Sequence, residues 1–205
     1  LMKIAIIDYD AGNLANVVRA ATRAGLDVVV TRDPEEIREA KALILPGVGA
    51  MKDAMEHLSG YGLTDIIREE VRKGKKFAGI CLGMQALYEV SEEGGEVPAL
   101  GLLPGRIAHF PPGDLKVPHM GWNELVMHRP HEVLAGLPEK SYVYFVHSYY
   151  KTPGDSEDII ASADYGVTVP AVVGKDNVLG FQFHPEKSGP IGLRIWKNLA
   201  EWLQK

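Results

Sequence analysis

The chain has 205 residues, enough for one domain with a sizeable core. Hydrophobic residues make up 46% and charged residues 24%, and 22 basic against 27 acidic side chains leave a net charge of −5, so neither a nucleic-acid partner nor an anionic membrane is expected. The single cysteine, Cys81, excludes an intrachain disulfide and a multi-cysteine zinc site and fits a reducing, cytoplasmic setting, while the longest apolar runs are strand-length.

In chain order, residues 3–9 are a short β-branched run that reads as a first strand rather than a signal peptide. Leu14, Val17, Val18 and Ala21 have helical spacing, and the predicted helix 14–24 stops at Gly25. A second strand follows at 27–31. Asp33 then caps a short helix with Pro34 at its first position. A third strand at 42–45 ends in Pro46-Gly47-Val48-Gly49. Helical patterns run on to Lys73 with a break near Ser59-Gly60, and a fourth strand at 76–80 leads into a helix over 82–90. Strands alternating with helices predict a parallel sheet covered on both faces.

The second half changes character. Residues 106–110, 122–127, 142–150, 158–163, 167–173 and 178–183 read as strands with short turns, Lys175-Asp176-Asn177 being a hairpin turn. A last amphipathic helix starts at Ser188, with Ile191, Ile195, Leu199 and Trp202 on one face. The expected fold class is therefore α/β: a parallel central sheet flanked by helices and extended by antiparallel strands. No segment reads as a linker.

The sharpest local feature is Gly79-Ile80-Cys81-Leu82-Gly83, where a strand runs straight into a helix. G-x-C-x-G is the spacing of a nucleophile elbow with cysteine in place of serine. The tight turn leaves no room for side chains two residues either side of the nucleophile. A cysteine at a helix N-terminus is favoured as thiolate, and the N–H of Leu82 is a candidate oxyanion donor. The alternative is a buried structural cysteine, the usual fate of a free one.

A thiol nucleophile needs a base and a group that orients the base. Of seven histidines, His184 stands out, in Gln182-Phe183-His184-Pro185-Glu186. In an extended chain His184 and Glu186 face the same side, so the carboxylate could hold one ring nitrogen and leave the other for Cys81. The alternative for this segment is a charged strand end at the surface. His147 is a competing base without a carboxylate at comparable spacing. His128 and His131 lack a third nearby ligand and read as a polar loop rather than a metal pair. Pro46-Gly47-Val48-Gly49-Ala50 can present backbone N–H groups to an oxyanion, or be a plain turn; it lacks phosphate-loop spacing.

Five segments carry a resemblance that runs nearly end to end: Asp8-Tyr9-Asp10-Ala11-Gly12-Asn13-Leu14, Pro46-Gly47-Val48-Gly49-Ala50-Met51, Gly79-Ile80-Cys81-Leu82-Gly83-Met84-Gln85, Pro118-His119-Met120-Gly121-Trp122-Asn123, and residues 180–188. With them the chain resembles the class I glutamine amidotransferases, and among these the glutaminase subunits of imidazole glycerol phosphate synthases. Asp10 departs from the family pattern, which has glycine there. The resemblance implies a flavodoxin-like class I glutamine amidotransferase fold and one amidotransferase type 1 domain over residues 1–205. It implies glutamine hydrolysis through a cysteinyl thioester, with Cys81, His184 and Glu186 as triad and the N–H groups of Val48 and Leu82 as oxyanion donors. Gly49, Gln85, His147, Ser148 and Tyr149 would line the glutamine pocket. No cofactor or metal is called for. The ammonia would pass to a separate cyclase subunit, since 205 residues leave no room for a cyclase barrel. Asn13, Asn16, Met120, Trp122, Asn123 and Lys187 are the interface candidates, core packing being the alternative for Trp122. Another class I amidotransferase subunit, a different thiol hydrolase and a non-catalytic binding module remain the rival readings.

Overall fold

The first half of the chain alternates as its apolar pattern dictates. Strands β1 (Ile4–Ile7), β2 (Val28–Thr31), β3 (Ala42–Leu45) and β4 (Lys76–Ile80) are separated by helices α1 (Leu14–Arg23), α2 (Pro34–Glu39), α3 (Met51–Gly60) and α4 (Leu63–Arg72). The computed structural model describes residues 2–154 and 157–205. A single helical turn, α5 (Leu82–Gln85), follows β4. The rest is mostly β: β5 (Val90–Ser91), β6 (Val97–Pro98), β7 (Arg106–His109), β8 (His119–Glu124), β9 (Val126–Met127), β10 (Tyr142–His147), β11 (Tyr149–Lys151), β12 (Ile159–Asp164), β13 (Thr168–Lys175) and β14 (Val178–Phe181), closed by helix α6 (Gly189–Gln204).

The main sheet has the order β2-β1-β3-β4-β14-β13-β12-β9. Its first five strands pair parallel, and β13, β12 and β9 extend it antiparallel. The order reverses between β1 and β3, as in flavodoxin-like sheets, and ligands of such sheets bind beyond the carboxyl ends at that point. The loops after β1, β3 and β4 therefore converge on one crevice. Alternate residues serve opposite faces. Ile4, Ile6, Ile44, Ala78 and Ile80 pack under α1 and α6, through Val17, Ala21, Ile195, Trp196 and Leu199. Ala5, Ile7, Leu43, Leu45 and Phe77 pack under α2 to α4, through Ile37, Leu58, Ile66 and Ile67. Burial on both faces explains why these strands read as unbroken apolar runs.

Local signals match their elements. Asp33 accepts the Glu35 N–H at 2.9 Å as the cap of α2, with Pro34 in its first turn. The hairpin turn forms, with Lys175 paired to Val178 and Asp176 at φ 53°. Other expectations need correction. The helix expected over 82–90 ends at Gln85: the chain tightens to three-residue spacing at Leu87 and Tyr88, and the Glu89 N–H then bonds Gly105 O beside the β5–β7 pairing. The expected strand 122–127 starts earlier, at His119, and is cut at Leu125, whose N–H turns to Ser141 O. The expected strand 142–150 breaks at Ser148, so β10 pairs with β8 while β11 pairs with β7. In both cases apolar alternation continues across a change of sheet. Among the described residues no helix is long and apolar enough to cross a membrane.

Candidate active site

Cys81 stands at the end of β4 with φ 55° and ψ −108°, a positive-φ conformation outside the usual allowed regions that a non-glycine residue adopts only under constraint. The constraint is backbone packing on both sides. A Cβ on Gly79 would lie 2.3 Å from Gly83 O, and one on Gly83 would lie 1.9 Å from Leu45 O. The two flanking glycines are therefore required by the closeness of the turn, which aims the thiol at the crevice.

His184 follows β14, and its N–H bonds Tyr144 O. The expected extended His-x-Glu geometry is not what brings the carboxylate to it. Pro185–Lys187 is a 3-10 turn, started by the fixed φ of Pro185 and latched by Ser188 Oγ donating to His184 O at 2.6 Å. That turn carries Glu186 Oε1 to 2.6 Å from His184 Nδ1. Both side chains are sealed from water. Nδ1 is thus spent on the carboxylate. Nε2 is buried with no hydrogen-bond partner among the described residues, which leaves it for the thiol. Burial works against the imidazolium, but Cys81 and Glu186 together outweigh it and push the His184 pKa up to about 9. Asn13, an interface candidate, also belongs to this group: its Nδ2 donates to Glu186 Oε1 at 2.7 Å.

The oxyanion donors are arranged differently from expectation. The Leu82 N–H donates to Gly47 O at 3.2 Å, so it is engaged. A trans peptide points its C=O and N–H in opposite directions, so the Val48 N–H, on the same peptide as Gly47 O, faces away from Leu82. Two donors aimed at one oxygen would require that peptide to rotate. The loop around it is close-packed. Tyr9 Oη donates to Pro46 O, and a Cβ on Gly47 would lie 2.0 Å from that hydroxyl.

A cavity of about 230 Å³ opens over Cys81. Gly49, Gln85, His147, Ser148 and Tyr149 line it together with Val48 and Leu82, as do two residues not anticipated, Glu93 and Val146. Gln85 Nε2 donates to Tyr149 O and to Gln182 Oε1, both at 2.9 Å, which leaves its own carbonyl for a ligand. His147 lines the cavity as expected, but with both ring nitrogens engaged. Its Nδ1 is 2.8 Å from Tyr149 O and its Nε2 is 2.9 Å from His119 Nδ1, so the ring has no nitrogen to offer. Burial pushes its pKa down to about 3, which also removes it as a competing base. Glu93 is the acidic group of the lining. Its Oε1 accepts the Met51 N–H at 2.7 Å, and burial raises its carboxyl above the ordinary value.

Sequence reasoning missed Glu93, Gln182 and His119. Gln182 is fully buried beneath the nucleophile, its Nε2 4.0 Å from Cys81 Sγ. A polar residue inside an apolar strand was the available signal for it. Of the other interface candidates, Met120 and Trp122 are exposed by 61% and 57%, so Trp122 is not a core residue. Asn16 and Lys187 are also exposed, and Asn123 is half-buried. A separate cleft of about 600 Å³ at residues 127–135 holds His128 and His131. There His128 bonds Ser162 Oγ and His131 caps a 3-10 turn.

The glutamine amidotransferase class-I family profile matches residues 5–200. A relative from Desulfitobacterium hafniense (strain DSM 10664 / DCB-2), the imidazole glycerol phosphate synthase subunit HisH, is 49% identical over 202 residues, 98% of this chain and 95% of its own length. The subunit of the same name from Geobacillus kaustophilus (strain HTA426) is 52% identical over 200 residues, 95% of this chain and 94% of its own. Among solved structures, a crystal structure of a glutamine amidotransferase superposes with TM-score 0.74 at 24% identity, covering 96% of this chain and 98% of the other. PurLQS from Thermotoga maritima superposes with TM-score 0.71 at 16% identity, covering 98% and 99%. These two likenesses concern the fold.

Proposed function

The chain belongs to the class I glutamine amidotransferase family, and from that premise we propose that it is the glutaminase subunit of an imidazole glycerol phosphate synthase, acting as one amidotransferase domain in the cytoplasm. It hydrolyses glutamine and hands the ammonia to a separate cyclase subunit in histidine biosynthesis. The observation that carries this reading is His184, its Nδ1 held by Glu186, its Nε2 unspent and its positive form favoured by Cys81 on the constrained turn.

The chemistry follows from those groups. The Cys81 thiolate attacks the carboxamide carbon of glutamine, and the carbonyl oxygen becomes an oxyanion. His184 as imidazolium gives its Nε2 proton to the amide nitrogen; the C–N bond breaks and ammonia leaves. Glu186 stabilises the ring whenever it is positive, before ammonia leaves and again once water has given up its proton, but takes no proton itself. Water, losing a proton to His184, then attacks the thioester, and glutamate departs as the thiolate re-forms. The N–H groups of Leu82 and Val48 stabilise both tetrahedral species once the 47–48 peptide has rotated and Gly47 O has released Leu82. Until then the site lacks its oxyanion donors, so activity should depend on the partner. Glu93 faces the α-ammonium of glutamine, and the Gln85 carbonyl gives it a second acceptor. Met120, Trp122, Asn16 and Lys187 lie on the surface offered to the cyclase, and Asn13 joins that surface to Glu186.

The test is ammonia release from glutamine with the matching cyclase and its nucleotide ligand present. Cys81→Ala should abolish release while binding the cyclase normally. Release at the wild-type rate by Cys81→Ala would end the proposal.

A further inference from the structure

A series of hydrogen bonds runs from strand β8 into the cavity wall. Asn123 Nδ2 donates to Asp164 O at 2.8 Å and faces His119 Nε2 at 3.1 Å, while Asn123 Oδ1 accepts the Glu124 N–H at 2.8 Å. Those partners fix which amide atom is nitrogen. His119 Nδ1 then meets His147 Nε2 at 2.9 Å, and His147 Nδ1 meets Tyr149 O at 2.8 Å.

The hydrogens can be assigned from either end. A carbonyl only accepts, so His147 Nδ1 carries a hydrogen. An amide nitrogen only donates, so His119 Nε2 carries none, and its hydrogen sits on Nδ1. That hydrogen points at the bare Nε2 of His147, so the two assignments agree. Burial keeps both rings neutral, pushing the His119 pKa down to about 4 and that of His147 to about 3. His119 cannot tilt out of line. It is 2% exposed and stacked between Phe145 and Tyr165, at centroid distances of 4.5 and 4.1 Å. At the far end Tyr149 O also accepts Gln85 Nε2 at 2.9 Å, so one carbonyl gathers two residues of the cavity wall.

We propose that His119 and Asn123 are positioning residues for glutamine binding, holding the Ser148–Tyr149 wall and Gln85 in place through His147. This deepens the glutamine-pocket reading and rests on it. Strand alternation gives the relay a second consequence. Met120 and Trp122 of β8 are exposed, while His119 between Pro118 and Met120 is buried. The head of the relay therefore lies directly behind the exposed face that Met120 and Trp122 present.

The test is steady-state glutamine hydrolysis by the complex at saturating cyclase and nucleotide, comparing wild type with His119→Phe and Asn123→Leu. Phenylalanine keeps the stack and cuts the relay. The expected result is a rise in KM for glutamine of about tenfold with kcat within about twofold, because a wall loosened by one lost buried hydrogen bond weakens binding and spares the thiol. Misfolding would lower the active fraction, and so kcat, at constant KM. An unchanged KM in active His119→Phe complex overturns the proposal. A wild-type complex that releases no ammonia overturns the glutaminase reading instead. Nitrogen-15 imidazole spectra of the wild-type chain near neutral pH check the relay without activity. Both rings should appear as neutral Nδ1–H tautomers, and an Nε2–H tautomer at His147 contradicts the assignment.

Discussion

Glu186→Gln separates the charge of the triad carboxylate from its geometry. The glutamine side chain has nearly the same shape, and its Oε1 can still accept from His184 Nδ1 and Asn13 Nδ2, which now stand at 2.6 and 2.7 Å. What is lost is the negative charge on a pair sealed from water. His184 stands at about 9 in the folded chain against 6.5 ordinarily. A raised folded pKa adds stability that is fully present below about pH 6.5 and disappears as pH rises through about 9; the whole shift corresponds to about 3 kcal/mol. Burial opposes the shift, and Cys81 and Glu186 share in producing it. Removing the Glu186 charge should therefore cost about 1–2 kcal/mol in the acidic part of that window. Urea unfolding of wild type and variant, from about pH 6 to 9.5, measures the gap between them. The gap should be widest below about pH 6.5 and close as pH rises through about 9. The variant's kcat should fall by about 10- to 100-fold, the worth of a charge-assisted hydrogen bond. Unfolding curves that stay parallel across the window would refute the claim that Glu186 holds the imidazolium.

Gly83→Ala drives a Cβ to within 1.9 Å of Leu45 O, a backbone atom that cannot step aside, and should destabilise by about 3 kcal/mol or more in thermal unfolding. Gly113→Ala, with open space around it, should stay within about 0.5 kcal/mol and serves as the control. Glu93→Gln should raise KM for glutamine by about 10- to 100-fold with a smaller effect on kcat, because a charge-assisted bond to the α-ammonium is lost on binding. Equal KM values would remove Glu93 from the substrate site. The Leu82 amide should be protected from hydrogen exchange in the isolated chain and change its environment when cyclase, nucleotide and glutamine are all present. An amide resonance that does not move would contradict its oxyanion role.

The parallel half of the fold was legible because each element there carries its own signal. The strands are β-branched runs, Asp33-Pro34 announces a helix, and Gly79 and Gly83 bracket a turn. Strand ends in the second half were less legible. Alternation continues through Leu125 and Ser148, but the partner strand changes there, and pairing partners leave no mark on local pattern. The helix after Cys81 read too long because Leu87 and Tyr88 are buried beside α5 without being helical. At the site, Cys81, His184 and Glu186 could be picked out by residue type and spacing. His184 and Glu186 nonetheless meet through a 3-10 turn, not an extended strand. Glu93 was invisible because it comes from the loop after β5, in an acidic stretch like any solvated face. Gly47 O on Leu82 N–H was invisible as well, since a peptide's orientation is not written in residue types.

The most direct measurement is the intact mass of the chain, acid-quenched during turnover of glutamine with the cyclase and its nucleotide ligand. Cys81 is the only cysteine, so a thioester has one place to form. The account predicts a fraction of the chain heavier by one glutamyl group, released by hydroxylamine and absent from Cys81→Ser. Steady ammonia release with no such adduct in either slow or fast quenches, or an adduct that persists in Cys81→Ser, would contradict it.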